Sequence, residues 1–76
     1  MEVFEIVKNR LNKREKGTPM DLEEAQKIFR DTTIHIGLSV NDNKYYWFAI
    51  MSECGGYNTP RSAVNDALKY LENGGY

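Results

Sequence analysis

His35 and Cys54 are the only histidine and the only cysteine in the chain. A cysteine beside a histidine base, with a third group orienting that base, is the arrangement of a covalent nucleophile. Cys54 precedes Gly55-Gly56, a turn signal that would leave its thiol within reach. Nothing else in the sequence completes such a constellation. The expectation is that Cys54 packs as a small hydrophobe and His35 is an ordinary strand residue, with no catalytic residue anywhere. A structural zinc site takes about four Cys or His ligands, so no metal is expected. Gly55-Gly56 lacks both the Gly-x-Gly-x-x-Gly and the Gly-Lys-Ser/Thr pattern that cradles phosphates, so no cofactor is expected. Asp21, Glu23, Glu24 and Asp31 make one segment acidic. A catalytic carboxylate pair needs a cleft between its members, and these four are expected to pair with Lys27, Arg30 and the segment before them.

Two features suit binding better than catalysis. Lys8, Arg10, Lys13, Arg14 and Lys16 gather five cations in nine residues, with only Glu15 opposing them. At 100° per residue they cannot share one helical stripe, so they form a basic end. That end would take a phosphate or an acidic protein, or be satisfied by its own helix dipole. The second feature is Tyr45-Tyr46-Trp47-Phe48. Four consecutive aromatics on one strand send two to each face. If helices cover one face, two large rings are left on the other, where they serve as interface anchors or stack on bases.

The elements that position these residues follow from periodicity. Val3, Ile6, Val7 and Leu11 make one apolar stripe, predicting a helix over Met1–Lys16 closed by Gly17. Thr18 as N-cap, Pro19 at N1 and Asp21 at N3 predict a second helix ending near Arg30–Asp31. Ile34, Ile36, Leu38 and Val40 alternate with Thr33, His35, Gly37 and Ser39, and Tyr45–Met51 is dense in aromatic and apolar residues, which predicts a β-hairpin over Thr33–Met51. Asn41-Asp42-Asn43 reads as a three-residue loop with Asn43 left-handed. That register puts Ile34, Ile36, Leu38, Tyr46, Phe48 and Ile50 on one face. It puts His35, Gly37, Ser39, Tyr45, Trp47, Ala49 and Met51 on the other. A two-residue loop would exchange the two sets on the second strand. Ser52–Asn58 is a turn or a short third strand through Tyr57. Thr59-Pro60 starts a last helix, with Ala63, Val64, Ala67, Leu68 and Leu71 inward and Asn73-Gly74-Gly75 ending it.

Composition bounds the whole. The chain has 76 residues, ten basic and eleven acidic side chains, a formal net charge of −1 and 41% hydrophobic residues. That is the size of a single domain, so residues 1–76 are expected to form one small α+β domain. One cysteine excludes an intrachain disulfide. No apolar run approaches the ~20 residues of a membrane span, and no secretory signal is visible, so a cytoplasmic setting is expected. The near-neutral charge weighs against nucleic acid, whose binders carry a dominant basic patch.

Thr32–Met51 followed by Tyr57–Gly75 has a recognisable outline: a hairpin with an aromatic second strand leading into a Thr-capped Ala/Leu helix. It resembles small phage and mobile-element proteins, HicB-like partial folds among them. Short, near-neutral, aromatic-rich chains without catalytic groups are similar to phage anti-defence inhibitors of the anti-CRISPR type. The resemblance implies inhibition of a host nuclease complex by steric occlusion, in the host cytoplasm, and carries no functional residue with it. The expected function is therefore a non-enzymatic protein-binding module. Its binding residues would be Tyr45, Trp47, Met51, His35 and Tyr57 on the sheet, with Lys8, Arg10, Lys13, Arg14 and Lys16 as a second partner- or phosphate-binding site. The partner would be another protein or protein complex. The alternatives are a nucleic-acid-binding accessory protein that uses the basic end with the sheet aromatics, and a homodimer that buries the second sheet face.

Overall fold

The computed structural model describes residues 2–14 and 17–74. Its elements are α1 (Val3–Lys13), α2 (Leu22–Ile28), β1 (His35–Ser39), β2 (Lys44–Phe48), β3 (Glu53–Tyr57) and α3 (Pro60–Glu72). The strands form one antiparallel sheet in the order β1-β2-β3. The expected α+β architecture is present: two N-terminal helices, an antiparallel hairpin and a C-terminal helix on the sheet. The segment left open between turn and strand is a strand.

Local chemistry explains most boundaries. Thr59 caps α3, its side chain accepting from the Ser62 N–H at 3.1 Å, with Pro60 in the first turn. Gly74 closes that helix at φ 87°, its N–H bonded to Leu71 O at 3.0 Å. A left-handed φ just past a helix favours glycine. The expected start of α2 is corrected. Asp21, not Thr18, is the N-cap, and its carboxylate accepts from the Glu24 N–H at 2.8 Å. Asp ranks above Thr as a cap, and choosing it leaves Thr18-Pro19 in the connection, where Met20 is buried. The helix also ends earlier than expected, at Ile28. Asp31 turns left-handed at φ 63° and the Thr32 hydroxyl bonds Phe29 O. The first helix stops at Lys13, short of Lys16, and Gly17 lies beyond its Arg14 C-cap.

Arg14 leaves α1 to make a two-point contact with Glu24: Nε donates to Oε2 at 2.5 Å and Nη2 to Oε1 at 3.2 Å. Nη2 also reaches Thr18 O at 2.7 Å. The guanidinium hydrogen bond holds the Glu24 carboxyl below the usual carboxylate range. One turn earlier, Arg10 Nη1 donates to Ile28 O at 3.1 Å and Arg30 O at 2.8 Å. It supplies donors to the open carbonyls at the end of α2. Arg10→Ala is expected to cost about 1–3 kcal/mol, against less than about 0.5 kcal/mol for Lys13→Ala at the exposed surface. Urea titration of both variants measures the contrast.

The hairpin register differs by one residue from the expected one. Ser39 pairs with Lys44, so the loop is Val40–Asn43, four residues rather than three. The Asn43 N–H bonds Ser39 O at 2.9 Å, and Asn43 is left-handed at φ 57°, as expected. The extra loop residue exchanges the two faces of β2. Ile34, Ile36, Leu38, Tyr45, Trp47 and Ala49 now share a face. The core joins Ile34, Ile36 and Trp47 to Val7 of α1, to Met20, Ala25, Ile28 and Phe29, and to Ala63, Val64, Ala67 and Leu71 of α3. Helices α2 and α3 lie on the sheet, while α1 rests on α3 and α2.

Candidate functional site

The register decides what the uncovered face of the sheet carries. Antiparallel partners share a face. His35 pairs with Phe48, Gly37 with Tyr46, Tyr46 with Gly55 and Phe48 with Glu53. All point away from the helices. The rings form a row: Tyr46 to Phe48 at 6.2 Å between centroids and nearly parallel, then Phe48 to His35 at 5.1 Å. A Cβ on Gly37 would overlap the Cζ and Oη atoms of Tyr46, so the Tyr46 ring lies across the bare backbone of Gly37. Cross-strand aromatic cover of a strand glycine holds such a ring in one place. Gly37→Ala is expected to push the ring aside at a cost of about 1–3 kcal/mol, the range of an overpacked site. Loss of the ring-current shift on the residue-37 α proton reports the displacement.

The row continues into an unusual turn. Ala49 N–H bonds Ser52 O at 2.7 Å, which makes Ile50-Met51 a two-residue hairpin loop. Two-residue loops favour Gly, Asn or Asp, because the turns that match strand twist need positive φ. Neither residue has it; among the described non-glycine residues only Asp31 and Asn43 do. Two large apolar side chains therefore occupy a position where turn chemistry asks for small polar ones. They stand 73% and 80% exposed, beside Phe48 at 42%.

The sheet residues expected to bind divide accordingly. Trp47 is not on the open face: it is 2% exposed, with its ring 5.0 Å from that of Tyr70. Its indole N–H reaches the Tyr57 hydroxyl at 3.1 Å and Asp66 Oδ2 at 3.5 Å, and the Tyr57 hydroxyl donates to Asp66. Burial, then the Asp66 carboxylate, push the Tyr57 hydroxyl above the ordinary tyrosine range. It stays protonated and donating at neutral pH. Tyr45 packs against the core on the same side. Tyr45, Trp47 and Tyr57 thus lie on the helix-covered face of the sheet and not on the open one, and the loop-length difference is the physical reason. His35 and Met51 are exposed as expected. Tyr46, Phe48 and Ile50 are on the open side instead; Gly37, whose bare backbone the Tyr46 ring covers, was a signal for Tyr46 alone.

Of the basic end, Arg10 and Arg14 bond within the fold. Lys8 lies over the Phe4 ring at 5.6 Å, Lys13 is exposed, and Lys16 falls outside the described residues. Lys8, Arg10 and Lys13 belong to α1, with Arg14 at its C-cap, and α1 packs behind α2 and α3. The sheet rings look the other way, so the two features do not make one surface. His35 and Cys54 also stay apart. They lie on the two outer strands, with β2 between them and side chains on opposite faces. Two strand spacings alone are ~9.6 Å, beyond any nucleophile–base hydrogen bond. Among the described residues no group of three His, Cys, Asp or Glu is placed to hold a metal ion. No helix among them is long and apolar enough to cross a membrane. No family model matches the chain, and neither a curated protein nor a solved structure is significantly similar to it.

Proposed function

We propose that this protein is a non-enzymatic binding module that docks on another protein through the open face of its sheet. The observation that carries this reading is the row of Tyr46, Phe48 and His35 rings on the three-stranded sheet, followed by exposed Ile50 and Met51 in the next turn. Contiguous exposed apolar surface is uncommon on monomeric proteins and marks interaction sites. Aromatic side chains on a fixed backbone lose little entropy when they dock. A phage-type inhibitor that occludes a host nuclease complex, the role implied by the resemblance, requires only a face of this kind.

Base stacking on Tyr46 and Phe48 is the competing use. It is disfavoured because Lys8, Arg10, Lys13 and Arg14 lie on or at the end of α1, behind the other helices, and Lys44, the one cation of β2, is held by the Asn58 side chain. The test immobilises the protein through its N-terminal helix and compares wild type with Phe48→Ser/Ile50→Ser. Loss of a specific partner from the double variant, with no single-stranded oligonucleotide bound at low salt, supports the reading. Equal retention by both removes the face from the account. Salt-dependent oligonucleotide affinity with a slope near −0.7 per phosphate contact replaces it with nucleic-acid binding.

A further inference from the structure

The outer edges of the sheet differ. Along β1, the Gln26 side-chain amide donates to Ile36 O at 3.0 Å, and α2 lies against the strand. Along β3, Glu53, Cys54, Gly55 and Gly56 are all exposed. Exposed strand edges are templates for pairing with another strand.

The ladder shows which β3 groups face outward. Ala49 and Ser52 are a hydrogen-bonded pair. Hydrogen-bonded and non-hydrogen-bonded pairs alternate in antiparallel strands. Trp47–Cys54 is then the next bonded pair, and Glu53 and Gly55 turn their N–H and C=O groups away from β2.

We infer that a second copy of this chain adds to β3 in antiparallel fashion, about a two-fold axis at Cys54. Three symmetric registers would match outward groups with outward groups. An axis at Glu53 sets two carboxylates directly opposite each other, which is destabilising. An axis at Gly55 runs the pairing into the bulge, where Gly56 sits at φ 85° and the register with β2 shifts. An axis at Cys54 sets Glu53 of each copy against Gly55 of the other and the two Cys54 side chains opposite one another, with no like charges opposed. An isologous interface must be self-complementary in this way. The product is one six-stranded sheet whose two open faces lie on the same side, so the Tyr46–Phe48 row is presented twice. This inference stands apart from the docking proposal, since it uses the sheet edge and not the face.

Sedimentation equilibrium tests it between about 10 µM and about 1 mM chain, the range for an interface at the small end of the size scale. The wild type is expected to pass from monomer to dimer. Gly55→Pro is expected to remain monomeric with its fold intact, because proline is tolerated on an edge strand where its N–H would face outward. Two further variants read the register. A Cβ at residue 55 meets only Tyr46 Cβ, at 3.5 Å, so both fit. Gly55→Lys places a cation against Glu53 of the second copy and is expected to tighten the dimer about fivefold. Gly55→Glu is expected to weaken it by about as much. Thermal unfolding of each variant checks the monomer fold. A monomer throughout the range overturns the inference. So does a dimer indifferent to Gly55→Pro, or one that Lys and Glu shift in the same direction.

Discussion

Trp47→Ala is expected to cost about 3–5 kcal/mol, the range for removing a fully buried large aromatic. A chain of 76 residues has a total stability of roughly 4–11 kcal/mol, so the variant is expected to lose a large part of it. The size follows from position. Trp47 is the largest side chain between the sheet and α3, with Ile36 beside it across the ladder and Tyr70 beneath it. Its loss leaves a cavity and removes one partner of the Tyr57–Asp66 pair. Trp47→Phe keeps most of the volume and leaves that pair bonded, so about 1–2 kcal/mol is expected. Urea titration of the two variants measures both. A loss below about 1 kcal/mol for Trp47→Ala would contradict the placement of Trp47 in the core.

Phe48→Ser/Ile50→Ser is expected to have the opposite profile. Both side chains are substantially exposed, so stability is expected to change by less than about 1 kcal/mol. Interface anchors of this kind carry about 2 kcal/mol or more each, so affinity for the partner is expected to fall about 1,000-fold. Stability from urea titration and affinity from titration with the captured partner are read on the same preparation. Contrast with Trp47 is the point. A residue that serves the fold loses stability, and one that serves recognition loses affinity alone.

Local signals in the sequence were enough for some elements and misleading for others. The last helix was legible because Thr59-Pro60 and the Ala63–Leu71 stripe are complete within fifteen residues, and no tertiary contact is needed to choose them. The second helix offered two adjacent starts, Thr18-Pro19 and Asp21. Asp21 is the better cap, and Arg14 adds contacts to Glu24 and to Thr18 O on either side of it that spacing does not reveal. The basic end misled for the same reason: two guanidiniums that look available in the sequence are fixed to α2.

The binding face turned on a single residue of loop length. Asn41-Asp42-Asn43 marks a turn but does not say whether Val40 belongs to the strand or the loop. A one-residue slip sends every side chain of β2 to the other face. What decides it is tertiary: Trp47 finds Tyr57, Asp66 and Tyr70 only in the observed register, and Gly37 accommodates the Tyr46 ring only there. That an aromatic pair would be left on an uncovered face was legible from four consecutive rings. Which pair it would be was not.

The protein has one tryptophan, so its own fluorescence reports which face is open. With Trp47 between sheet and α3, the native protein is expected to show blue-shifted emission and little quenching by iodide or acrylamide. Unfolding in urea is expected to move the emission to that of a solvated indole and to restore full quenching. A native protein whose emission is already that of solvated indole, quenched as readily as the unfolded chain, would put Trp47 on the open face. It would place the Tyr46–Phe48–Ile50 row in the core, and the docking surface proposed for this protein would be lost with it.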